Sequence, residues 1–130
     1  MLPRRIPKEQ KRASRWRSQA HRDFVRSFAC AMCGSTANRE VAHVRLGSGA
    51  GIGQKPDDWR TVPLCAGPNS NADGQLGCHN RQHTIGEQTF WQQYQLKHGQ
   101  TVEQLIADFI HESPKRHEIA RVKQERANAA

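Results

Sequence analysis

The feature that most limits what this chain can become is the placement of its four cysteines. Cys30 and Cys33 sit two residues apart in "ACAMCGST", Cys65 closes "TVPLC", and Cys78 opens "CHNRQH". Thiols in C-x-x-C spacing share one tight turn, and Gly34 supplies the left-handed backbone that such a turn commonly needs. Cys65 and Cys78 can join the first pair because the loop between them, residues 66 to 77, is long enough to return on itself. Four thiols allow two disulfides or one metal site. The start, "MLPRRIPKEQKRASRWR", is basic without the apolar run of a signal peptide, and no later stretch reaches membrane-spanning length. A reducing, cytoplasmic setting without a membrane partner is therefore expected, and there such a knuckle serves a metal.

Size strengthens the metal reading. A chain of 130 residues with 35% hydrophobic content can bury only a small core. A structural Zn2+ on Cys30, Cys33, Cys65 and Cys78 would add folding energy, and a closed thiolate set leaves no position for substrate. Alternatively, His79 replaces Cys78 as the fourth ligand. The net charge of +8 gathers toward the two ends, so Arg12, Arg15 and Arg17 on the N-terminal side are candidate phosphate contacts. The competing reading is a solvated tail.

Three segments follow from composition and periodicity. Residues 1 to 13 read as a basic disordered arm. Residues 14 to 99 read as a core: a helix capped by Ser14 and running to about Phe28, with Ala20, Phe24, Val25 and Phe28 as its apolar stripe, then the knuckle and strands over 40 to 44 and 61 to 65. Pro63 marks the second strand as an edge or a strand end. Helices follow from Cys78 to near Gly86 and from there to Gly99. Phe90, Trp91 and Tyr94 group at core spacing, with base stacking as the other use for Trp91 or Tyr94. Residues 100 to 130 read as a helical extension, opened by a Thr101/Gln104 capping box and carrying Val102, Leu105, Ile106 and Phe109, with a polar, fraying end. Glycines 47, 49, 51 and 53 fit no nucleotide-binding fingerprint, and the chain is too short for a doubly wound sheet. Lys55, at the end of that loop, is a candidate phosphate contact.

Two imidazoles remain after the thiols are assigned. His79 and His83 stand four residues apart, on one face of a helix, where they can grip a second ion. A hard cation there also calls for an oxygen ligand, with Asp57 or Asp58 nearest in sequence. His43, near the end of its strand, is either a hydrogen-bonded structural histidine or a functional one.

The succession of knuckle, strand ending in His, Gly-rich loop, strand ending in Leu-Cys, and Cys-His helix resembles the HNH nucleases of the ββα-metal fold. More narrowly, "AHVRLGSGAGIGQKPDDWRTVPLC" followed by "CHNRQHTIGEQTFW" is similar to small phage-encoded HNH proteins, including recombination-enhancement nucleases. The resemblance spans roughly residues 20 to 95 and implies an α+β class: a small zinc-stabilised ββα-metal core with flanking helices. It implies that His43 is the general base, that His79 and His83 hold the catalytic metal, and that Asp58 is the middle letter of the motif. It further implies Mg2+, Mn2+, Ni2+ or Zn2+ as that second ion, DNA as substrate, whether duplex or recombination intermediates, and a phage or prophage origin in a bacterial host. Lys55, Arg45, Arg12, Arg15 and Arg17 would then hold the nucleic acid. Position 42 is Ala, where many members place another metal ligand, so water or Asp58 would complete the shell.

The chemistry asks for the same parts. Phosphodiester hydrolysis needs a deprotonated water in line with the leaving oxygen and a cation to stabilise developing charge. Imidazole can take a proton near neutral pH once something fixes its ring, and Asp58 or a backbone carbonyl is suited to that. Two rival readings remain open: a non-catalytic zinc-stabilised nucleic-acid-binding protein, and an RNA-directed nuclease.

Overall fold

The computed structural model describes residues 1–6, 15–50, 55–67 and 76–129. It is a mixed α+β arrangement of one two-stranded antiparallel sheet and five helices among those residues. In chain order these are α1 (Gln19–Arg26), β1 (Arg39–His43), β2 (Thr61–Cys65), α2 (Gly77–Ile85), α3 (Glu87–His98), α4 (Val102–Glu112) and α5 (Arg116–Ala129). No helix is long and apolar enough to cross a membrane among the described residues.

The hairpin pairs Val41 with Pro63 and His43 with Thr61. Proline lacks an N–H, so it fits only where that group would point away from the partner strand. That is its position here: the Pro63 carbonyl also turns outward and accepts from the Ala31 amide at 2.9 Å, which docks the knuckle on the sheet edge. The first strand begins one residue earlier than the composition suggests, at Arg39.

The N-terminal helix starts later than expected. Residues 15–18 are not helical, and the cap is Ser18, whose hydroxyl accepts from the His21 amide. Tertiary bonds hold this stretch out of the helix: the Trp16 amide donates to Asp57 at 2.6 Å, and the Trp16 carbonyl accepts from the Asp58 amide at 2.9 Å. Ser14, the expected cap, lies outside the described residues, as do Arg12 and most of the expected arm. Of the expected stripe, Val25 is buried, whereas Ala20 and Phe28 are exposed.

Most buried apolar residues form one core of Val44, Val62, Leu64, Phe90, Trp91 and Tyr94 with the cysteines, and Val102 and Ile106 of α4 belong to it. Trp91 and Tyr94 are therefore core residues rather than stacking platforms. Their polar atoms are satisfied internally, the indole N–H by Gln82 and the phenol by Gln100. The Thr101/Gln104 capping box is complete, and Gly99 ends α3 in the left-handed conformation.

A second, smaller cluster joins the two ends of the chain. Trp16, Trp59 and Ile119 pack together, with Arg126 stacked over the Trp59 ring at 5.0 Å and bonded to Asp57 at 2.9 Å. The expected fraying end is thus anchored: Ile119 is fully buried although α5 is polar elsewhere.

Candidate functional site

The four cysteine sulfurs lie within 4.8 Å of one another. They come from three places: Cys30 and Cys33 on the knuckle, Cys65 at the end of β2, and Cys78 in the first turn of α2. The meeting of the last two depends on Gly77. Its φ is +79°, and a Cβ there would stand 2.5 Å from the Cys65 carbonyl oxygen. Only glycine permits both that backbone and that approach. The residue order alone did not single out Gly77.

The donor chemistry fits a tetrahedral cation. Zinc–sulfur bonds of about 2.3 Å place neighbouring sulfurs about 3.8 Å apart, and Cys33 and Cys65 stand at 3.6 Å, too far for a disulfide. A hydrogen bond from the Cys78 thiol holds Cys30 as a thiolate, down to about 4, against the effect of burial and with help from the backbone near Cys33, Cys65 and Met32. Cys78 is pushed up by that same donated hydrogen bond, by burial and by the Cys30 charge, and Cys65 is raised chiefly by burial. Four sulfurs this close together suit a cation, and the group can hold a structural metal such as Zn2+. Because the Cys78 thiol is in this group, His79 is not needed as a ligand.

One residue further along α2, His79 and His83 turn the other way. Their ring centroids are 5.1 Å apart, and with His43, Lys55 and Arg45 they line one cleft of about 380 Å³. The hairpin, the loop after β1 and α2 thus bring together residues far apart in sequence. His43 Nε2 stands 2.9 Å from Asp58 Oδ1. Asp58 is fully buried; its other oxygen accepts from the Ser18 amide at 2.8 Å, and Arg17 and Arg22 stand 3.4 and 3.6 Å away. Asp58 is therefore placed to fix the His43 ring, not to complete an ion shell with His79 and His83. Burial keeps His79 below its ordinary value, Glu40 pulls it upward, and the nearby His83 and His43 lower it further.

Other expected contacts divide into two sets. Lys55 is exposed on the cleft rim. Arg17 donates to the Pro56 and Lys55 carbonyls, and Arg15 lies 3.9 Å from Asp57, so both brace the loop that carries Asp58. Two residues of the site were not anticipated. Glu87 accepts from the Arg45 and Leu46 amides at 2.8 and 3.2 Å, tying the loop after β1 to the start of α3. Glu40 contacts His79.

Residues 4–115 match the family described as protein of unknown function (DUF968). The chain belongs to this family. No curated protein and no solved structure matches it. The matched region takes in the cysteine centre and the histidine cleft, and it ends before α5.

Proposed function

We propose that this chain is a metal-dependent HNH endonuclease with a ββα-metal core, hydrolysing phosphodiester bonds in DNA. The observation that carries the reading is the single cleft in which His43, His79 and His83 meet beside Lys55 and Arg45. The β1, β2, α2 succession and the cysteine centre beside it support the same reading.

A carboxylate can only accept, so the hydrogen between His43 and Asp58 belongs to Nε2, and the Nδ1 lone pair is the one that takes a proton from water. Buried Asp58 holds the ring in place and stabilises the imidazolium that results. His79 and His83 would hold Mg2+, Mn2+, Ni2+ or Zn2+, which supplies charge stabilisation at the scissile phosphate and leaving oxygen. Lys55 and Arg45 would take flanking phosphates of a duplex or a recombination intermediate.

The deciding experiment incubates zinc-loaded protein with supercoiled plasmid, and in parallel with RNA, under each of Mg2+, Mn2+, Ni2+ and Zn2+, with and without chelator. Ion-dependent cleavage is expected. Binding without cleavage under every ion would leave a non-catalytic zinc-stabilised nucleic-acid-binding protein, the reading that Ala42 favours because a buried methyl offers no ligand. Cleavage confined to RNA would redirect the proposal to that substrate.

A further inference from the structure

Glu40 on β1 reaches across to α2, where its Oε1 stands 3.3 Å from His79 Nδ1. A carboxylate has no hydrogen to give, so this contact needs one on Nδ1. A neutral imidazole carries one ring hydrogen, which leaves the lone pair on Nε2. We propose that Glu40 is a positioning residue that fixes His79 as this tautomer and aims its Nε2 at an ion shared with His83. The inference rests on the metal reading of the cleft given above and adds a residue to it.

Three observations support an outer role over direct ligation. Among the described residues, only the cysteines bring three or more candidate donor atoms within 4.8 Å of one another, so Glu40, His79 and His83 do not converge on one point. Glu40 lines one hollow with His79, Asn80 and His83 and another with His43, whereas the cleft that joins His43 to both His79 and His83 is lined without it. The Glu40 backbone is held in the sheet opposite Leu64, so the carboxylate approaches His79 from a fixed element. A carboxylate on the far nitrogen sets ring orientation and makes the near nitrogen a better ligand, and losing such a partner typically weakens metal binding about 10- to 100-fold.

The test uses full-length, zinc-loaded protein with 15N-labelled histidine, as wild type, Glu40→Gln and Glu40→Ala. Long-range 1H–15N spectra near pH 7.5, with no second ion added, give the His79 tautomer; calorimetric titration with Ni2+ then gives affinity. Wild type should show His79 protonated on Nδ1. Glu40→Gln, which keeps an acceptor oxygen, should retain that tautomer with a partial loss of affinity. Glu40→Ala should show mixed tautomers and affinity about 10- to 100-fold weaker. Wild-type His79 protonated on Nε2, or Glu40→Ala matching wild type in tautomer and affinity, would overturn the inference and leave the nuclease reading standing. Wild-type protein that takes up no Ni2+ beyond its zinc would overturn both.

Discussion

Cys78 and His79 are adjacent in sequence and on the same turn of α2, yet they belong to opposite kinds of site. The cysteine faces inward, where four sulfurs gather within 4.8 Å of one another at the core and can hold a metal. The histidine faces an open cleft with His83 and His43. A closed set of buried thiolates converts metal affinity into folding energy, whereas two imidazoles in a cleft keep coordination positions free at the expense of affinity. One helix therefore presents a cysteine to a centre in the core on one side and a histidine pair to an open cleft on the other.

The sharpest way to break this comparison is to remove a thiolate. Cys30→Ser or Cys65→Ser should forfeit on the order of 10 kcal/mol of metal-linked folding energy and yield insoluble or unfolded protein. A purified, folded wild-type chain containing no zinc would show that the centre is not what holds the fold. Next in size is His43→Ala, which takes away the proposed base but no proposed metal ligand. Cleavage should drop by about two to four orders of magnitude, with zinc content and melting temperature near wild type. Unchanged cleavage would make His43 a structural histidine.

A pH experiment probes the scaffold under the cleft. His21 is buried on α1, with Nδ1 2.7 Å from the Ser113 hydroxyl and Nε2 lacking a hydrogen-bond partner. Burial lowers it to about 4, against a weaker upward pull from Asp58. A histidine depressed on folding binds its proton more readily when unfolded, so its contribution is intact above about 6.5 and is lost as pH falls toward 4. The full loss is about 3 kcal/mol. Denaturant midpoints measured from pH 7 down to 5 should fall more steeply for wild type than for His21→Leu; parallel slopes would exclude His21 as the source.

The smallest effect concerns the link between α1 and the cleft. Ser18 caps α1 with its hydroxyl and donates its amide to Asp58, so Ser18→Ala removes the cap but leaves the amide. A loss of about 1 kcal/mol is expected, with the cleavage rate kept. A large loss of cleavage would mean that the cap itself positions Asp58 and His43.

Helices α2 to α4 and both strands were legible because each carries a local signal: β-branched residues such as Val41, Thr61 and Val62 in the strands, a capping box at Thr101, a glycine stop at Gly99. The helix start failed because its competitor was remote. Residues 15–18 stay out of the helix through bonds to Asp57 and Asp58, some forty positions away, which no local pattern at Ser14 could reveal. The same holds for α5, whose polar sequence suggested fraying while Ile119 and Arg126 engage Trp16, Trp59 and Asp57.

By itself the sequence determined which donors this protein has: four thiols at knuckle and loop spacing, two imidazoles on one helical face, and a histidine at a strand end. Spacing along a turn or helix is set by local backbone geometry, so those relationships survive without knowledge of the rest. Only the tertiary structure decided which donors share a centre, that Asp58 meets His43, and that Glu40 meets His79. Those pairings depend on strand register, on the close passage of Gly77 against Cys65, and on burial, all of which arise when distant segments pack.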